Sequence, residues 1–152
     1  AVAGNLQSKT NDMKQQEKLL AGLYLDTQKA VVIRPAPDYE EGDYIVQETL
    51  EAENHDREGG ADSKNRARQS DLLKYFKSVA AMLLVYDEVH IFGPGNTQEQ
   101  FQNHLKEDAQ FNSKKVTIDS SEQLSENKMI LKVREFFKTG QPLAETEMKS
   151  HL

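Results

Sequence analysis

A strand that runs through a glycine-proline turn directly into a helix is the feature that most constrains the fold. Residues 88–101 read EVHIFGPGNTQEQF, and the apolar half of this segment favours a buried strand. Gly93 and Gly95 permit backbone angles that other residues avoid. Thr97 and Gln100 fit the capping box that opens many helices. The segment therefore predicts a βα unit, whose turn lies where α/β proteins commonly keep their sites.

The chain before this unit has the pattern of a three-stranded meander. Residues 21–25 and 30–34 are two apolar, β-branched runs, and the polar turn 26–29 separates them. After a segment that is rich in proline and glycine, residues 44–50 alternate well enough for a third strand. A hairpin followed by a third antiparallel strand is the prediction for this half.

Helices and strands alternate regularly in the second half. A broad apolar stripe over residues 72–84 predicts a core-facing helix, for which Ser70 or Asp71 is the expected cap. The remaining predicted elements are a strand at 89–92, a helix at 97–108, a strand at 115–119 and a helix at 125–138. We therefore expect an α/β fold with a mixed five-stranded sheet, in which two parallel strands extend the meander and helices cover both faces.

The segment between the third strand and the first predicted helix is a candidate binding loop. Residues 51–68 contain almost no large apolar side chain, so we expect a long exposed loop. Its arginines suit phosphate recognition, although an ordinary solvated loop is the competing interpretation. The candidate ligand or RNA contacts are Arg57, Gly59, Gly60, Lys64, Arg66 and Arg68.

Composition narrows the classes of function. A formal net charge of −6 argues against binding of nucleic acid by bulk attraction, and leaves only a local basic patch. The absence of cysteine excludes disulfides, thiolate zinc sites and cysteine nucleophiles. No run approaches the ~20 apolar residues of a membrane span, and the N-terminus lacks a signal-peptide pattern, so we expect a cytoplasmic protein without a membrane partner. The chain starts without Met, which leaves the native N-terminus open.

The order of these elements resembles a known domain. The hairpin, the third strand, the Gly-Gly loop, the amphipathic helix and the strand that ends in Gly93-Pro94-Gly95 are similar to the middle domain of Pelota and of archaeal and eukaryotic peptide release factors, with bacterial relatives as the nearest branch. The resemblance covers residues 20–139, between a polar arm or helix at 1–19 and a polar tail at 140–152. It implies a ribonuclease-H-like three-layer fold, and the ribosome or tRNA as partner.

Two departures from the family pattern bear on activity. Release factors carry Gly-Gly-Gln in the loop, which places a water at the ester of peptidyl-tRNA, whereas this chain continues from Gly60 to Ala61. Pelota proteins also lack the tripeptide, so the resemblance implies a non-catalytic factor in ribosome rescue. The family usually has a lysine where this chain has Gln98, which weakens a phosphate-binding role for the turn. The turn candidates are Gly93, Pro94, Gly95 and Thr97, and close packing is favoured over anion binding.

Three other functions stay open at the level of sequence. A hydrolase could act through the Gly-Gly loop, and a protein-interaction module could pair through the edge strand 44–50. A metal-dependent nuclease would need converging carboxylates, for which Asp26, Asp87 and Asp119 are the candidates, although each also suits an ordinary turn or cap. The histidines lack metal-ligand spacing, and His90 is expected to be a hydrogen-bonded core residue. We predict no cofactor, no metal and no catalytic residue, and the sequence leaves the oligomeric state open.

Overall fold

The structure, a computed structural model, describes residues 18–36, 43–53 and 60–139. Within these ranges the chain forms five strands, three α-helices and one short 3-10 turn. The strands are β1 (Leu20–Leu25), β2 (Lys29–Pro35), β3 (Tyr44–Glu51), β4 (Glu88–Gly93) and β5 (Lys115–Ser120). The helices are α1 (Ala61–Leu83), α2 (Thr97–Lys106) and α3 (Glu126–Thr139), and the 3-10 turn is Ala109–Phe111.

The strands form one mixed sheet in the order β3-β2-β1-β4-β5. β1 pairs with β2, and β2 with β3, in antiparallel fashion, whereas β1–β4 and β4–β5 are parallel pairs. At the centre of the sheet, Leu23 lies between Val32 of β2 and Ile91 of β4. The predicted meander extended by two parallel strands is confirmed.

Successive side chains of the central strands point to opposite faces of the sheet, so the protein has two cores. Leu23 and Ile91 point to one face, where α1 and α2 pack, and Tyr24 and Phe92 point to the other face, under α3. Both central strands are buried on both faces, which explains why they read as nearly continuous apolar runs. Helices therefore cover both sides of the sheet, as predicted for a three-layer ribonuclease-H-like domain.

The predicted start of α1 is wrong. The helix begins at Ala61, with Gly60 as its N-cap, and not at Ser70 or Asp71. Six of the ten residues 61–70 are good helix formers (Ala, Lys, Arg and Gln), but none of the ten has a large apolar side chain, so the apolar stripe in the sequence marks only the half of the helix that packs on the sheet. The part of the predicted loop from residue 61 onward is thus helical, and residues 54–59 lie outside the described ranges.

The predicted capping box at α2 is also wrong by one residue. Asn96 is the N-cap, it makes no side-chain cap bond, and Thr97 is the first helical residue. The Asn96 carbonyl accepts hydrogen bonds from the amides of Glu99 and Gln100, each at 3.1 Å. Thr97 is 4% exposed, so its side chain is buried in the first turn of α2 and is not a solvent-facing cap. The helix itself starts where the sequence predicts.

Candidate functional site

The turn after β4 is shaped by the close approach of β1. A Cβ atom on Gly93 would overlap the carbonyl oxygen of Leu25, so only glycine fits at the end of β4. Gly95 has a φ of 69°, in the left-handed region that favours glycine. Backbone geometry thus accounts for both glycines around Pro94.

A buried amide supports the same turn from inside α2. Gln98 is 1% exposed, and its Nε2 donates a hydrogen bond to the Gly95 carbonyl at 3.1 Å. Its Oε1 has no hydrogen-bond partner among the described residues. Gln98 is thus a neutral side chain that bonds to the turn, and this arrangement favours packing over phosphate binding.

Asp26 organises the β1–β2 turn. Its Oδ1 accepts hydrogen bonds from the amides of Gln28 and Lys29, at 2.7 and 2.8 Å, and its Oδ2 accepts one from the Tyr24 hydroxyl at 3.0 Å. The hydroxyl of Tyr75 donates to the Asp26 carbonyl at 2.9 Å, which ties α1 to the end of β1. Burial, followed by the Asp26 carboxylate as acceptor and as charge, raises the pKa of Tyr24.

The three aspartates of the nuclease hypothesis do not converge. Asp26 follows β1 and Asp119 lies near the end of β5, whereas Asp87 precedes β4 at the opposite end of the sheet. Asp87 accepts a hydrogen bond from the Leu19 amide at 2.9 Å. In the described part of the chain, no three His, Asp or Glu side chains are grouped to hold a metal ion.

Sequence reasoning missed an ion pair under α3 in which the lysine is buried and the aspartate is partly exposed. Lys132 is 3% exposed, and its Nζ lies 3.0 Å from Asp119 Oδ2 and 5.7 Å from the centre of the Phe92 ring. The available signal was the position of this lysine among apolar residues, because it falls three residues after Met129, and Val133 follows it directly. An ionisable residue on an apolar stripe predicts a partner of opposite charge, and here the partner is Asp119.

His90 is a core residue, as predicted. It is 1% exposed, its Nδ1 lies 2.8 Å from the Thr117 hydroxyl, and its ring stacks on Phe136 with 3.7 Å between the ring centres. Burial, followed by the charge of Lys132, lowers the pKa of His90 to about 4, with the charge of Asp119 acting in the opposite direction. The imidazole is therefore neutral at neutral pH.

The first three turns of α1 project beyond the end of the sheet. Leu72 is the first residue of α1 that packs on the core and Tyr75 bonds to the turn that follows β1, so residues 61–70 extend past the end at which β1, β4 and β5 terminate. Residues 61–70, which we call the projecting segment, span about 15 Å and are exposed except at the half-buried Ala67. The charged residues of the segment are Asp62, Lys64, Arg66 and Arg68.

The structure thus brings two groups of candidate residues to one end of the sheet. Lys64, Arg66 and Arg68 lie on the projecting segment, directly after Gly60. The turn from Gly93 to Thr97 follows β4 at the same end. The predicted contacts Arg57 and Gly59 lie outside the described residues.

Comparison with known proteins identifies the fold. No protein-family model matches this chain, and no curated protein sequence is significantly similar to it. Among solved structures, Pelota from Archaeoglobus fulgidus is 14% identical with a TM-score of 0.54, and the match covers 88% of this chain and 35% of Pelota. Pelota from Thermoplasma acidophilum is 16% identical with a TM-score of 0.50, and that match covers 80% of this chain and 32% of the other.

An archaeal translation termination factor, aRF1, is 13% identical over 88% of this chain and 37% of its own, with a TM-score of 0.49. The chain spans about a third of the length of the Pelota structures that it matches. At these identities the likeness establishes a Pelota-like domain fold. No helix in the described ranges is both long and apolar enough to cross a membrane.

Proposed function

We propose that this chain is a non-catalytic, translation-associated factor that contacts ribosomal RNA or tRNA through the projecting segment. The observation that carries the proposal is a solvated helical tip with Lys64, Arg66 and Arg68 in a protein whose net charge is −6. Lys64 and Arg68 are four residues apart and share one side of the helix, while Arg66 lies on another side, and such exposed cations suit phosphate contacts. The Pelota-like fold supports the connection with translation, and ribosome rescue is the specific process that we propose.

The proposal assigns no ester hydrolysis to this domain. Ala61, at the position where release factors have the glutamine, is the first residue of α1 and has only a methyl side chain. A methyl group cannot orient a water by hydrogen bonding. We further propose that residues 20–139 form the middle-domain-like unit, that residues 1–19 and 140–152 are polar flanks, and that the protein belongs to a bacterial branch and acts in the cytoplasm, where ribosomes are.

Cosedimentation with ribosomes tests the proposal. Tagged protein in its own lysate is run through a sucrose gradient at low and moderate salt, and ribosomes are followed in the same fractions. The wild-type chain is expected to migrate with ribosomal particles at low salt, and Arg66→Glu with Arg68→Glu is expected to release it, because two phosphate contacts become repulsive.

A matched variant controls for net charge. Lys106→Glu with Lys138→Glu makes the same change of charge at exposed positions outside α1, and should leave cosedimentation intact. If both double variants lose the ribosome equally, contact through the projecting segment is refuted. A wild-type chain that stays at the top of every gradient would refute the translation role, and would favour a protein-interaction module with another partner.

A further inference from the structure

We propose that the free edge of β5 is a self-complementary surface through which two copies of this chain pair, with β5 antiparallel to its counterpart about a two-fold axis at Thr117. β5 is the last strand of the sheet and pairs only with β4 among the described residues. An open strand edge presents unpaired amide and carbonyl groups, which favour the addition of another strand. The register, charge and burial of β5 favour this pairing, and the pairing does not depend on RNA binding.

The hydrogen bonds to β4 determine which backbone groups of β5 are free. The amide of Lys115 donates to Asp87, and that of Ser121 donates to Gly93, at 3.0 and 2.9 Å. Backbone groups alternate in direction along a strand, so the odd-numbered residues of β5 face β4. Val116 and Ile118 therefore direct their amide and carbonyl groups toward the open edge.

Pairing of two copies about a two-fold axis at Thr117 would give these backbone groups hydrogen-bond partners. It places Val116 of one copy opposite Ile118 of the other, and both residues direct their backbone groups outward. Directly opposed residues of this kind exchange two hydrogen bonds in an antiparallel pair, so the interface would contain four. Thr117 faces its own counterpart in a non-hydrogen-bonded position at the centre.

The side chains in this register are complementary in charge and polarity. Lys115 lies opposite Asp119, and because of the symmetry this pair occurs twice, on the same face of the sheet as Thr117. Val116 and Ile118, which are partly buried against the core under α1 and α2, meet on the other face. Residues 115–119 are thus self-complementary in the antiparallel register: the oppositely charged ends pair with each other, and the apolar residues between them meet.

Existing contacts are compatible with the new pairs. The Lys115 ammonium lies 3.7 Å from Glu88, with its side chain 65% exposed, and Asp119 bonds to Lys132 with its side chain 27% exposed. Pairing would link these two ion pairs into a network across the interface. α3 packs on β1, β2 and β3, so its main contacts lie away from the β5 edge.

The opposite edge of the sheet lacks this complementarity. β3 carries Glu48 and Glu51 and no cationic side chain, so no self-pairing register of that strand gains an ion pair. Acidic side chains on an edge strand also oppose pairing with an identical strand. The two edges therefore differ, and a second copy is the occupant that fits β5.

Cysteine substitution tests the register directly, because the natural chain has no cysteine. Thr117→Cys places two thiols across the axis, where opposed Cβ atoms are about 4.5–5.5 Å apart and small adjustments allow a disulfide. Mild oxidation of the purified 152-residue chain is expected to give a covalent dimer. Thr49→Cys, on the exposed edge strand β3, is the control and should give no covalent dimer, although it still pairs through β5.

Charge reversal provides a test that needs no cross-link. Lys115→Glu puts two acids opposite each other at both ends of the interface, and sedimentation velocity over a concentration series should show dimerisation about tenfold weaker than that of wild type. Lys106→Glu makes the same change of charge on α2 and should leave dimerisation unchanged. Circular dichroism checks that each variant is folded.

Defined results would overturn the proposal. A wild-type chain that sediments as a monomer at every concentration excludes self-pairing and leaves the β5 edge to a different protein strand. A dimer that responds equally to Lys115→Glu and Lys106→Glu forms through another surface. Equal cross-linking of the Thr117→Cys and Thr49→Cys chains would likewise exclude the register.

Discussion

At the scale of single residues, His90 links pH to stability. The folded chain holds the pKa of His90 at about 4, below the ordinary value of 6.5. Between these values the unfolded chain binds a proton that the folded chain does not, so the free energy of unfolding falls as the pH is lowered through this window. The full effect is about 3 kcal/mol. Replacing His90 by Phe should remove this contribution, which urea unfolding of both chains at pH 7.5, 5.5 and 4.5 would measure.

The comparison between the two chains isolates His90 from the carboxylates that titrate in the same range. The difference in unfolding free energy between wild type and His90→Phe should shift in favour of the variant as the pH falls. A difference that stays constant from pH 7.5 to 4.5 would contradict the assignment of a neutral, buried imidazole.

The pair of Lys132 and Asp119 predicts an asymmetric response to mutation. The Lys132 side chain is 4% exposed and the Asp119 side chain 27% exposed, so removal of the carboxylate leaves a buried charge, whereas removal of the ammonium leaves a carboxylate that solvent reaches. Asp119→Asn should therefore destabilise the protein by about 3 kcal/mol, and Lys132→Met by clearly less. Urea unfolding at pH 7.5 measures both, and the reverse order would contradict this account of burial.

At the scale of elements, the turn after β4 predicts a ranking of three glycine substitutions. Gly93→Ala should destabilise most, by about 3 kcal/mol or more, because its Cβ would meet the Leu25 backbone, which cannot rotate away. Gly95→Ala should cost about 1–2 kcal/mol for its positive φ, since the space around it is open. Gly60→Ala, also in open space, is the control and should change stability least. Thermal unfolding of the three variants checks the order, and equal effects at positions 93 and 60 would contradict it.

How far the sequence predicts an element depends on how much of it is buried. The strands and the packed helices leave periodic apolar patterns, so the mixed sheet and its two helical layers followed from the sequence. The projecting segment buries no large side chain, and therefore left no periodicity to read. The capping box at Thr97 failed because the pattern fits two adjacent registers, and only tertiary packing chooses Asn96 as the N-cap.

The residues of the candidate site also differ in how far the sequence predicts their roles. The Gly93 turn was predictable because glycine reports backbone constraints directly in the sequence. The role of Gln98 was not, because a buried glutamine that bonds to a carbonyl has no local signature. Lys132 was recognisable only as an exception within an apolar stripe, and its partner lies on a different element.

At the scale of the whole molecule, charge is distributed unevenly. α1 carries Asp62 and Asp71 against five cationic residues, while the chain as a whole has a net charge of −6. A polyanion is therefore repelled by the body of the protein and attracted by one helix, so it should approach the projecting segment first. Salt screens both interactions, but the close phosphate contacts dominate the equilibrium.

This distribution predicts that the affinity for RNA depends only weakly on salt concentration, and that this dependence arises from the projecting segment. If Lys64, Arg66 and Arg68 each contact one phosphate, the logarithm of the affinity for a single-stranded RNA should fall against the logarithm of salt with a slope of about −2. Arg66→Glu with Arg68→Glu should remove most of that slope, and Lys106→Glu with Lys138→Glu should preserve it. Fluorescence anisotropy with a labelled oligonucleotide measures both. An unchanged slope in the α1 variant would mean that other cations hold the RNA, and the projecting segment would then lose its proposed role while the fold and the β5 edge stay as they are.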